Sequence, residues 1–159
     1  MSTTTPAQVD VRGPRFVAWI TSVVLVITLI VSGVSTSAAA VVLGVQALVF
    51  AIGAAGGPRR HPYGRLFTHL VAPRLRPVSE REPVPPLKFA QLVGFVFAGI
   101  GLLGFGAGVP LLGVIATAAA LAASFLNAAF GVCLGCQLYP LIARPQAWSD
   151  NLRARITRI

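Results

Sequence analysis

Four apolar runs divide the chain, and the stretches between them alternate between very short and long. The runs cover Phe16 to about Val34, about Ser37 to Ala55, Phe89 to Phe105, and Pro110 to about Phe130 with an apolar continuation to Cys136. Each approaches the roughly 20 residues that an α-helix needs to cross about 30 Å of hydrocarbon. Ser32-Gly33-Val34-Ser35-Thr36 links the first pair and Gly106-Ala107-Gly108-Val109 the second, both tight and uncharged. The pattern predicts an all-α integral membrane protein: a four-transmembrane-helix bundle of two antiparallel hairpins, with spans at about 16–34, 37–55, 89–105 and 110–136.

The first run, with its basic flank and the small residues Ser37-Ala38-Ala39-Ala40, imitates a secretory signal. Ala38 to Ala55 is apolar again, so cleavage there would leave a terminus at the mouth of another span. The first run is therefore expected to stay as a helix.

The polar stretches complete the domain plan. Residues 1–15 read as a short flexible arm, 56–88 as a basic, proline-rich loop within a membrane domain of 16–141, and 142–159 as a basic tail. In the loop, Tyr63, Leu66, Phe67, Leu70 and Val71 follow the spacing of one helical face. That spacing predicts a short amphipathic helix in the head-group interface, ended by Pro73. The remainder, through Pro77, Pro83, Pro85 and Pro86, reads as extended linker. In the tail, Trp148, Leu152, Ile156 and Ile159 share a face opposite arginines, a second interfacial helix.

Composition agrees with a lipid solvent. The chain is 55% hydrophobic and 11% charged, against about 25% charged in soluble domains. Its mean hydropathy is +0.80. The net charge of +9 would ordinarily raise nucleic acid as a partner, but the basic residues lie between and beyond the apolar runs, with almost no aromatics among them. Anionic lipid head groups are the partner this distribution suits, and no nucleic acid is expected. All 13 Lys and Arg fall in the arm, the long loop or the tail. With four spans these three segments share one side, which the positive-inside rule makes the cytoplasm. The expectation is a multi-pass inner (plasma) membrane protein with both termini cytoplasmic.

The chemistry visible in the chain is a C-x-x-C pair, Cys133 and Cys136, its only cysteines, at the cytoplasmic end of the fourth run. Three uses compete. A dithiol one helical turn apart suits thiol redox or sulfur transfer, one sulfur attacking and the other resolving. The same sulfurs with His61 and His69 from the loop would make a Cys2His2 metal site. Small polarizable residues also serve simply as packing, in a non-enzymatic membrane partner or small-molecule conduit.

Electrostatics bears on the first use. A helix C-terminus disfavours thiolate, whereas a helix N-terminus favours it. Gly131 and Gly135 offer a break that would let Cys136 begin a new short helix, and nearby arginines would supply a positive field. Gln46, Gln91 and Asn127 lie in the spans and should face the bundle interior, as hydrogen-bond glue or lining a path to the dithiol. Gly53-x-x-x-Gly57 and Gly131-x-x-x-Gly135 have small-residue packing spacing, which would also suit a homo-oligomer. No charged residue falls within a predicted span, which argues against a proton-relay pump. There is no phosphate loop, HExxH or Ser-His-Asp candidate, and no cofactor is implied.

Pro86-x-x-Phe89-Ala90-Gln91, together with Asn127-Ala-x-Phe-Gly-x-Cys-x-Gly-Cys136 and Tyr139, resembles the small four-span bacterial membrane family labelled domain of unknown function 4395. The resemblance covers roughly residues 10–143. Members of that family are often encoded near, or joined to, thioredoxin-like and rhodanese-like proteins. The resemblance thus implies Cys133 and Cys136 as the residues exchanging electrons or sulfur with such a partner, with Asn127, Gln91 and Tyr139 shaping the site.

Overall fold

A computed structural model describes residues 7–78 and 80–141. The tail expected over 142–159 lies outside the described residues. Among the described residues four helices are long and apolar enough to cross a membrane: α1 (Arg12–Ser32), α2 (Thr36–Gly56), α4 (Val84–Gly106) and α5 (Pro110–Phe130). At about 1.5 Å per residue each spans about 30 Å. They close a ring in which α1 packs on α2 and α5, and α4 packs on α2 and α5. The outer surface is apolar, with Ile30, Leu48, Leu103 and Leu111 each more than 60% exposed, while Gln46, Thr28 and Thr117 are fully buried. This inversion of the soluble pattern is what a hydrocarbon solvent demands.

The helix ends follow local chemistry. α1 begins at Arg12, ahead of the expected Phe16, because Pro14 falls in the first turn, where no N–H is required. The Asp10 carboxylate accepts from the Arg12 backbone N–H at 3.0 Å. α4 likewise begins at Val84 and holds Pro85 and Pro86 in its first turn. Ser35 caps α2 by accepting from the Ala38 N–H at 3.2 Å. Earlier starts bring Arg12 and Arg15 into the first turn of α1 and Lys88 to the N-terminal end of α4, still at the basic end of the bundle.

Interior packing relies on small residues. A Cβ on Gly104 of α4 would lie 2.6 Å from the Gly113 nitrogen of α5, so these backbones touch directly. Leu25, Leu43, Phe50, Ala98, Phe105 and Ala120 fill the core of the bundle. Close approach supplies the dispersion contacts that replace hydrophobic drive in lipid.

The segment between α2 and α4 holds helical turns where the spacing predicts them, but it is tied to the bundle and to the arm. α3 (Pro62–Leu66) runs on into a π turn (Phe67–Val71) and a 3-10 turn (Ala72–Arg74). Leu66 and Leu70 are exposed as the amphipathic spacing predicts. Tyr63 and Phe67, in contrast, turn into the bundle: the Tyr63 hydroxyl donates to Gln46 Oε1 at 2.9 Å, and Phe67 packs on Phe16 with ring centres 5.6 Å apart. Arg81–Pro83 (β2) is not free linker but pairs antiparallel with Gln8–Asp10 (β1), Val9 opposite Glu82. The second half of the expected flexible arm is therefore bound to the loop. Arg12 reinforces the join, its guanidinium ion-paired to Asp10 at 2.7 Å and donating to the Arg76 carbonyl.

Candidate functional site

The fourth span does not reach Cys136. α5 stops at Phe130, where Gly131 takes the left-handed φ of 69°. The Gly131 N–H donates to the Asn127 carbonyl at 3.0 Å and the Val132 N–H to the Leu126 carbonyl at 3.3 Å, the bond pattern that seals a helix C-terminus. The chain turns and a new helix, α6, occupies residues 134–141. The dithiol lies outside the span for a simple reason: the glycine accepts a backbone conformation that other residues resist.

Cys133 thereby sits just ahead of the first turn of α6, and its Sγ accepts from the Cys136 backbone N–H at 3.2 Å. The two cysteines are joined in a disulfide, with Cα atoms 5.2 Å apart. A sulfur in this position faces the unpaired N–H groups and positive dipole end of a helix, which favour thiolate over thiol. The opposing influence, the carbonyl end of α5, is occupied. Arg15 of α1 donates to the Ala128 carbonyl at 3.4 Å and to that of Ala129 at 3.3 Å. One arginine thus blunts the negative end of one helix beside the dithiol held at the positive end of the next.

α6 is seated on α4. A Cβ on Gly135 would fall 2.6 Å from Ala90 Cα. Tyr139 stacks obliquely on Phe89, ring centres 6.1 Å apart. The small-residue spacing at Gly131 and Gly135 is thus used within the chain, one glycine for a turn and one for a contact.

Beneath the disulfide, among α1, α4, α5 and the α3 segment, lies a cavity of about 510 Å³. Cys133, Gln91 and Asn127 line it, as does His61; Cys136 and Tyr139 do not. Gly53-x-x-x-Gly57 also serves an internal purpose, because a Cβ on Gly53 would lie 2.5 Å from the His61 ring. His61 is 2% exposed, and its Nε2 lies 3.2 Å from Gln91 Oε1. An amide oxygen only accepts, so Nε2 carries the proton and Nδ1 holds the lone pair. Burial lowers the His61 pKa to about 4, against the opposing effect of the Gln91 bond. The ring is neutral at physiological pH. Its Nδ1 has no protein partner.

His69 is not among the lining residues. Among the described residues no three His, Cys, Asp or Glu side chains gather closely enough to hold a metal ion. The Cys133, Cys136, His61 and His69 set is not assembled, since His61 is committed to Gln91 and the two sulfurs to each other.

Sequence reasoning passed over Thr21, Ser124 and Arg15. Thr21 and Ser124 line the cavity. Thr21, Ser22 and Thr28 lie on one side of the first run at helical spacing, and that polar stripe was a readable sign of an inward face. His61 had no such sign, because its partner Gln91 lies 30 residues away.

A four-span bundle carrying a dithiol at the N-terminus of a short helix, over a cavity opening among its helices, is the class this arrangement defines. The chain belongs to the family described as Domain of unknown function (DUF4395), whose model matches residues 9–144. Comparison with curated proteins and with solved structures found no match.

Proposed function

We propose that this protein is a membrane dithiol–disulfide carrier that exchanges electrons with a soluble thioredoxin-like protein at the cytoplasmic face. The carrying observation is the placement of Cys133 ahead of α6, with the Cys136 N–H on its sulfur and the Cys136 sulfur bonded to it. The cytoplasmic assignment rests on the Lys and Arg distribution.

The exchange balances without a further reagent. In the reduced protein the Cys133 thiolate attacks a sulfur of the partner disulfide, forming a mixed disulfide and releasing the partner's other sulfur as thiolate. Cys136 then attacks Cys133, the mixed bond breaks, and the partner leaves as a dithiol. The same steps in reverse reduce the membrane protein. A rhodanese-like partner would use the same nucleophile: the outer sulfur of its persulfide passes to Cys133 and the partner leaves as thiolate. Cys136 then attacks the Cys133 sulfur, closing the disulfide and releasing hydrosulfide.

Differential alkylation in intact membranes tests this reading. Both thiols should label after mild reduction, and oxidised thioredoxin should restore the disulfide. Cys136→Ser should trap a mixed disulfide through Cys133. Thiols that neither label nor oxidise until the membrane is dissolved would mark the pair as packing residues and end the proposal.

A further inference from the structure

The cavity is larger than exchange with a protein partner requires. At about 510 Å³ it falls within the size range of pockets that enclose a small organic molecule. Along α4 and α5 the small apolar Ala90, Ala119, Ala120 and Ala123 leave the space open, beside the polar Gln91, Ser124 and Asn127.

Two residues of this lining each carry a polar atom with no partner, although both side chains are only 2% exposed: Thr21 Oγ1 and His61 Nδ1. Unpaired polar atoms in such burial are rare and point to a missing companion. The two are complementary. Thr21 has a hydroxyl to donate, and His61 Nδ1 accepts because the ring proton is engaged by Gln91. Cys133 borders the same space.

We propose that the cavity binds a lipid-soluble quinone, which accepts the electron pair of the reduced Cys133–Cys136 dithiol. This rests on the thiol-exchange reading and supplies its second half. A quinone dissolves in the bilayer, suits apolar walls, and presents ring oxygens that accept a hydrogen bond when oxidised and donate one when reduced. Thr21 serves the carbonyl of the oxidised ring and His61 Nδ1 the hydroxyl of the reduced one.

The step also balances. Two S–H bonds break, one S–S bond forms, two electrons pass to the ring, and two protons end on its oxygens, giving quinol. The dithiol is oxidised and the quinone reduced. Electrons entering from a soluble dithiol would thus leave through the membrane.

The test uses full-length protein in phosphatidylcholine nanodiscs, reduced, freed of reductant and kept anaerobic. Decylubiquinone is added while quinol absorbance and free thiols are followed together. One quinol should form for each two thiols lost, at least about tenfold faster than with the Cys133→Ser, Cys136→Ser double variant. An alkyl hydroxyquinoline N-oxide, a redox-inactive quinone analogue, should inhibit, and Thr21→Val and Ala123→Phe should each slow the reaction at least about fivefold.

Inhibition of the unaltered protein by the analogue keeps the test valid if a variant misfolds. Quinone reduction that neither analogue nor variants affect would mean reaction at an exposed thiol and would overturn the cavity site. Thiol exchange with thioredoxin but none with quinone would overturn this inference and leave the carrier reading standing. Absence of both would overturn the two together.

Discussion

Gly135 of α6 lies so close to Ala90 of α4 that a Cβ in its place would come within 2.6 Å of the alanine Cα. Backbone stands against backbone there, so no rotamer change relieves the clash. Gly135→Ala should push α6 off α4, at a cost of about 1–3 kcal/mol for overpacking, and move Cys133 relative to the cavity. Thermal unfolding in detergent and the alkylation rate of the reduced pair should both change. An alanine variant matching the parent in both would show that α6 is not held by this contact.

Arg15 donates to the last carbonyls of α5, next to the dithiol. Removing its charge should leave the negative end of α5 open toward Cys133. Arg15→Gln is expected to slow iodoacetamide labelling of reduced Cys133 several-fold at pH 7, with Arg15→Lys intermediate. The decisive reading is the pH profile of labelling, and superimposable profiles for the three proteins would remove Arg15 from the site's electrostatics.

His61 gives the fold an acid sensitivity. Its pKa stands near 4 when folded and near the ordinary imidazole value of 6.5 when unfolded, so the unfolded chain binds the proton more readily. Stability from this residue is therefore fully present above about pH 6.5 and is lost as pH falls toward 4. The loss approaches about 3 kcal/mol at an order-of-magnitude level. Unfolding temperatures at pH 7 and pH 4.5 should differ less in His61→Gln than in the parent. An equal drop in both proteins would assign the acid response elsewhere.

Glycines of α4 separate into two kinds. A Cβ on Gly104 would lie 2.6 Å from the Gly113 backbone, whereas one on Gly99 meets nothing within 4 Å. Gly104→Ala should destabilise by about 1–3 kcal/mol. Gly99→Ala should be neutral or stabilising by up to about 1 kcal/mol through helix propensity. Equal unfolding midpoints for the two variants would contradict the α4–α5 contact.

The spans were legible because lipid imposes a length and a composition that few other structures share. The uncharged turns at Gly33 and Gly108 marked the two hairpins, and the helices of the structure flank both. Helix ends were harder. Hydropathy alone runs on from Pro110 to Cys136, and only Gly131 and Gly135 marked the break, which comes from one glycine's backbone rather than from any change in polarity. The spacing from Tyr63 to Val71 revealed a helix but not its direction, since Gln46 and Phe16, which draw Tyr63 and Phe67 inward, are remote in sequence. Within the site, Cys133, Gln91 and Asn127 stood out as functional atoms in apolar surroundings, and they meet at one cavity. Thr21 was overlooked because a hydroxyl in a membrane helix ordinarily bonds its own backbone, as Ser22, Thr28 and Thr117 do.

The β1–β2 pair fixes the entry of the chain to the rim of the cavity, where Val9 and Asp10 form part of its wall. A soluble module fused ahead of Gln8 would be tethered within a few residues of Cys133's cavity. Its encounter with the disulfide would become intramolecular, with a local concentration in the millimolar range for a short flexible linker. Weak recognition between the two would then suffice for rapid exchange, and lengthening the linker should slow transfer without altering a single contact.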